Sequence, residues 1–232
     1  MLNAFFFAFD YTDLAVIVPR LTPIGAGAVA LFAGLVPMLG RKGGRTHRRA
    51  GRVYVAAMVT VADTALVLTT LLPLTASRLF LTGIAVFSFY LSFSGWRAAR
   101  RRTPTLTPAD QALAIGTLLT GLAMIGAGIY WQAILFAFFG GLTSLFALKD
   151  VRTAFRTTPA TQPEPWIFRH IARMGGSYIA TFTAFLVVNL GHFLPASAPN
   201  WTHTAGWIAP SILGGMLIRR TIRAYRTRLK RA

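Results

Sequence analysis

Apolar stretches about as long as a bilayer is thick recur along this chain, separated by short basic runs. A helix rises about 1.5 Å per residue and the hydrocarbon core is about 30 Å thick, so a spanning helix needs about 20 mostly apolar residues. Candidate spans run from Leu21 to Gly40, Val53 to about Pro73, Leu79 to Trp96, Ala112 to Tyr130 and Trp131 to Leu148. A sixth covers Met174 to Phe193, its helix starting nearer Pro165, and a seventh, the shortest signal, covers Trp201 to Ile218. The expected fold is all-α: a polytopic bundle of about seven transmembrane helices over residues 21–218. Residues 1–20 are rich in Phe but carry Asp10 and Asp13, and read as an interfacial segment on the first span. They lack the positive start of a cleavable signal, so the first span would act as the insertion signal. Residues 219–232 read as a basic tail whose charges, at helical spacing, would lie along the membrane surface.

Composition agrees with this topology. Of 232 residues 54% are hydrophobic and only 13% charged, whereas a soluble domain carries about 25% charged residues and so can cover its surface. The formal charge of +18 would suggest nucleic acid in a soluble protein. Here all but Arg20 and Arg78 of the 24 Lys and Arg fall in the first, third and fifth connections and the tail. Seven spans therefore put nearly every basic residue on one face. Basic connections stay on the cytoplasmic side, so the N-terminus is expected outside and the C-terminus inside, in the inner membrane. No nucleic-acid partner is expected. Anionic lipid headgroups would meet the basic face.

Trp96, Trp131, Trp166, Trp201 and Trp207 fall near the ends of expected helices, where aromatic rings anchor at the interface. Small residues form packing rows: Ala26, Ala30 and Gly34 in the first span, and Ala123 and Ala127, with Gly121, Gly126 and Gly128 nearby, in the fourth. Such rows let helix backbones approach closely.

Few residues could carry chemistry. Cysteine is absent, which excludes disulfides and thiolate chemistry. No H-E-x-x-H or G-x-S-x-G occurs. The last span lacks the lysine a retinal Schiff base would need. Asp63 is the most unusual residue for its position. It lies about 18 Å along the second span from Gly51, near the bilayer centre, where a carboxyl normally faces a partner or a water-filled cavity. It is a candidate for proton exchange, or for a packing contact with a neighbouring helix.

The four histidines fall at two levels, His47 and His170 at the cytoplasmic side and His192 and His203 at the outer side. Neutral imidazole is a good axial ligand. Two haems, one at each level, would lie about 33 Å apart along the axis, too far for direct electron transfer. A single haem or metal between His47 and His170 fits better, and interfacial contact with lipid headgroups or water is the bland alternative.

The segment His47-Arg48-Arg49-Ala50-Gly51-Arg52-Val53-Tyr54 has the form H-R-x-x-G-R-x-Y, and His170 with Met174 and Tyr178 the form H-x-x-x-M-x-x-x-Y. Together with Trp207-Ile208-Ala209-Pro210 and Gly214, these resemble the bacterial multi-span family called domain of unknown function 2306. The resemblance implies a polytopic membrane protein without an assigned activity. His170, Met174 and Tyr178 share one helix face, so they would form a site wall or a polar helix contact.

Three readings stand. The first is an inner-membrane protein whose His47, His170, Met174 and Tyr178 line a cytoplasmic-side site for haem b or a metal, with His192 and His203 as a lesser pair. The second is a proton-coupled transporter or channel using Asp63. The third is an accessory subunit of a larger membrane complex. Whether the protein is an enzyme is not decided by the sequence.

Overall fold

Helices dominate because apolar runs leave the backbone no water to bond with, so it must satisfy itself internally. A computed structural model describes residues 14–103, 105–155, 165–195, 197–199 and 201–231. The expected interfacial segment up to residue 13, with Asp10 and Asp13, lies outside these, as do Arg156 and Glu164. Seven helices follow one another: α1 (Leu14–Leu39), α2 (Arg45–Leu71), α3 (Ala76–Arg101), α4 (Pro108–Tyr130), α5 (Ile134–Ala154), α6 (Trp166–Phe193) and α7 (Trp201–Arg231). No strand occurs among the described residues. Six helices are long and apolar enough to cross a membrane; α7 is the exception by composition.

The connections are short and chemically specified. Gly43, at φ 76°, turns the chain between α1 and α2. Lys42 Nζ donates to the free carbonyls of Pro37 and Met38 at the end of α1. Thr107 and Asp110 form a reciprocal capping box at the start of α4, with Pro108 in its first turn. Arg97 and Arg101 from α3 hold the Asp110 carboxylate.

Helix α3 is the central element and touches α2, α4, α5 and α6. Glycines set the closest approaches. A Cβ added at Gly95 would stand 2.8 Å from Arg173 Cβ on α6, and one at Gly128 would stand 2.6 Å from the Ala137 backbone on α5. Gly34, the last member of the small row in α1, faces the Tyr178 ring, and Ala30 in the same row is fully buried. In α4 the crossing onto α5 falls to Gly121 and Gly128, whereas Gly126 meets nothing within 4 Å.

Helix α7 runs back along α6. Gly206 lies beside Leu190, Gly214 against Ile179, and Ile218 beside Gly175, an antiparallel register that holds α7 alongside a spanning helix. Its basic end continues as part of the same 31-residue helix instead of turning aside after Ile218, and Pro210 does not interrupt it. No glycine or proline falls between Gly215 and Arg231, so nothing there stops the helix.

Two expectations about single residues are corrected. Trp207 is not an interface anchor. It is 8% exposed, and its ring packs edge-on against Phe80 and Phe139 at 5.1 and 5.9 Å, in the aromatic core between α3, α5 and α7. Arg173 is not a surface charge of the fifth connection. It is 3% exposed, because α5 and α3 pack over the flank of α6 that carries it, with Asp150, Phe146 and Tyr90 around the guanidinium.

Candidate functional site

The turn between α1 and α2 brings His47 to the start of α2, and the first turns of α6 bring His170 opposite it. Their ring centroids lie 6.2 Å apart. His47 Nδ1 is 3.2 Å from the Pro37 carbonyl, and His170 Nδ1 is 3.0 Å from the Gly95 carbonyl. A carbonyl only accepts, so each Nδ1 carries a proton, and a neutral ring in this tautomer keeps its lone pair on Nε2. That is the tautomer a metal-binding imidazole adopts when its other nitrogen bonds a carbonyl.

Both histidines open onto a cavity of about 950 Å³ between α1, α2, α3, α6 and α7, at the basic end of the bundle. Its inner wall is apolar and aromatic, with Trp96, Trp166, Met174 and Tyr178 among the lining side chains. Tyr178 OH donates to the Leu31 carbonyl at 3.3 Å, so its hydroxyl is already committed. Of the four residues expected at this end, the two histidines present free lone pairs, while Met174 and Tyr178 supply the wall. Tyr54, from the first motif, is 1% exposed and bonds Ser177 Oγ at 2.7 Å and Thr181 Oγ1 at 3.1 Å. Ser177 Oγ in turn reaches the Ser88 carbonyl at 3.2 Å. This seam ties α2, α6 and α3 together directly behind the cavity.

On the other flank of α3 and α6 lies a charge cluster that sequence reading missed. Asp150 on α5 accepts from Arg169 and Arg173 of α6 at 2.8 Å each, and from Tyr90 OH of α3 at 2.5 Å. Arg173 also donates to the Phe146 carbonyl at 3.0 Å, and its guanidinium stands 4.6 Å from the centre of the Tyr90 ring. Asp150 and Arg173 both lie near helix ends rich in charge, so in the sequence they look like surface residues. Only the lateral packing of α5 on α3 and α6 shows that they meet inside.

The remaining candidates stay apart from this end. His192 is exposed in the last turn of α6 and His203 is half-buried in the first turn of α7. No contact joins them among the described residues. Asp63 lies two and a half turns after the buried Tyr54, on the opposite side of α2, so it faces outward, exposed on α2 at mid-span. It lines neither the cavity nor the charge cluster.

A haem supplies four nitrogens of its own and needs from the protein only axial ligands. A bare zinc or similar ion needs three or four side chains. Among the described residues no three His, Asp or Glu side chains converge, while the histidine pair supplies the two imidazoles that a haem would take from the protein.

Residues 21–108, covering α1 to α3, match the family model described as predicted membrane protein (DUF2306). This is the family that the histidine motifs resemble, and the matched stretch contains His47 and Tyr54 but not His170. No curated protein and no solved structure matches the chain. The family match and the six apolar helices make this a multi-pass membrane protein.

Proposed function

We propose that this is a haem b-binding redox protein of the inner membrane, with His47 and His170 as the two axial ligands at its cytoplasmic end. The observation that carries the reading is the facing histidine pair. The rings are 6.2 Å apart, each with its Nδ1 held by a backbone carbonyl, in a cavity of about 950 Å³ with aromatic walls. Bound haem would supply a one-electron iron couple. The chain's own contribution would be to hold the group between the His47 and His170 imidazoles, with Trp96, Met174 and Tyr178 as the apolar wall beside it. A haem held by two imidazoles would serve electron transfer rather than binding of a small molecule.

The test is a visible spectrum of protein expressed with ample haem and gently solubilised, taken oxidised and then dithionite-reduced. A Soret band with sharp α-bands on reduction is expected. A flat spectrum would remove the reading.

Asp63 favours a second reading, as a subunit of a larger membrane complex. A carboxyl exposed at mid-span on an outward helix face is costly in lipid and suits a contact with another membrane helix. Native mass spectrometry in mild detergent would then show a larger assembly that Asp63→Leu dissociates. An unchanged mass in that variant would rule it out. As a titrating group for transport Asp63 has less support, because it faces away from the cavity.

A further inference from the structure

We propose that the cavity takes up an anionic phospholipid of the surrounding bilayer, its phosphate among the basic residues of the mouth and one acyl chain on the face of α6 between α1 and α7. This goes beyond the haem reading and does not rest on it, since the chain lies beside the histidines and not between them.

The sideways opening of the cavity is the first observation. Among the described residues α1 and α7 both pack on α6, and neither packs on the other. Both nevertheless line the cavity, α1 with Met38 and α7 with Leu217, which is 64% exposed. Between them α6 presents Ile171, Gly175 and Tyr178 to the cavity. Steps of four and three residues carry the same helix face on to Phe182 and Phe185, which are 43% and 45% exposed. The floor of the cavity therefore runs without a break onto a surface that lipid covers. A molecule dissolved in the bilayer can slide in along it, whereas one in water meets only the mouth. From Ile171 to Phe182 the helix rises about 16 Å. That is about half of a hydrocarbon core about 30 Å thick, the depth one acyl chain fills in its own leaflet.

The mouth supplies the site for the head. Arg48 and Arg52, one turn apart on α2, line it together with Lys42, Arg100 and Arg102. Glu164, two residues before Trp166 and outside the described residues, would offset at most one of these five charges. Two of the guanidiniums are stacked on aromatic walls, Arg100 over Trp96 at 5.2 Å and Arg102 over Trp166 at 5.3 Å. Stacking uses the face of a guanidinium and leaves its N–H edge for an anion. The positive-inside rule explains why Lys and Arg are on this side of the membrane. It does not require five of them to line one cavity. Basic pockets between transmembrane helices bind the headgroups of anionic lipids, and here the apolar floor leads directly out of such a pocket.

Native mass spectrometry tests this on the full chain, delipidated in mild detergent and prepared without haem. The probes are phosphatidylglycerol, phosphatidylcholine with the same chains, and glycerol phosphate. One phosphatidylglycerol per chain is expected, held at least about tenfold more tightly than phosphatidylcholine, with no binding of glycerol phosphate. Three variants at exposed positions locate the site. Arg52→Gln, at the mouth, should weaken phosphatidylglycerol about fivefold. Arg152→Gln, at the end of α5 and away from the cavity, should change it less than twofold. Leu217→Trp, which narrows the sideways opening, should weaken it as well. Equal affinity for the two lipids would overturn the proposal in favour of ordinary boundary lipid. Glycerol phosphate binding as tightly as the lipid would overturn it in favour of a free phosphate. Equal weakening by Arg52→Gln and Arg152→Gln would reduce the effect to net charge, and unchanged binding in Leu217→Trp would remove the chain from the groove. Because haem is absent from the titration, none of these results bears on the spectrum that tests the haem reading, and a flat spectrum would leave the lipid site standing.

Discussion

Arg173 shows what one misplaced charge means at the residue scale. Its guanidinium is buried against Asp150, a backbone carbonyl and two aromatic rings. Removing one partner of an isolated buried ion pair costs about 3–5 kcal/mol, an upper bound here because Asp150 keeps Arg169 and Tyr90. Arg173→Ala should therefore lower stability by up to about 3 kcal/mol, measured by thermal unfolding in detergent. Arg169→Ala, which removes a partner with a 21% exposed side chain, should cost about 1 kcal/mol or less. Similar losses in the two variants would show that the cluster is not organised around Arg173. At the same scale the four histidines separate sharply. His47→Ala and His170→Ala should each abolish or strongly shift the Soret band, whereas His192→Ala and His203→Ala should leave it intact. A band that survives both variants at the basic end would place the haem elsewhere.

Among the elements, the crossing of α3 and α6 matters most, because it both closes the bundle and positions the site. Gly95 supplies two things there. Its missing side chain lets α6 approach, and its carbonyl orients His170. Gly95→Ala puts a methyl group 2.8 Å from Arg173 Cβ and 3.0 Å from Met174 Cγ, and overpacking of this kind costs about 1–3 kcal/mol. The expected result is a lower unfolding temperature together with weaker haem retention, seen as loss of the Soret band on washing. Gly116 is the control. A Cβ there meets nothing within 4 Å, and alanine improves helix propensity by up to about 1 kcal/mol. Gly116→Ala should be neutral or stabilising, and a loss matching that of Gly95→Ala would show that the crossing is not the cause.

For the whole molecule the seventh helix is the element to test. By composition α7 falls short of a spanning helix, yet its contacts from Gly206 to Ile218 follow α6 from Leu190 back to Gly175. If α6 spans the bilayer, α7 returns beside it. Because the chain has no cysteine, single-cysteine labelling gives a direct reading. Cysteines at Arg48 and Arg223 should react with an impermeant maleimide from the same side of the membrane, and one at Thr75 from the other. Labelling of Arg223 and Thr75 from the same side would remove α7 as a crossing.

Sequence by itself determined the class of fold, the approximate helix register and the clustering of charge at one end. These follow from local quantities: apolar length against bilayer thickness, and the order of basic runs between spans. It also singled out His47 and His170, since their motifs are local and a helix period fixes their level. It could not show that α7 extends unbroken into the basic tail, that Trp207 sits in an aromatic core, or that Arg173 is a buried charge. Each depends on which helix lies beside which, and neither periodicity nor composition carries lateral neighbours. Only the tertiary structure decided that Asp63 faces outward, and that the two acidic residues described at the basic end are bound away from the cavity. The approach of α6 to α3 at Gly95 also decided that the two histidines face each other. A pairwise distance between residues far apart in sequence is set by packing, so that part of the site became readable only in three dimensions.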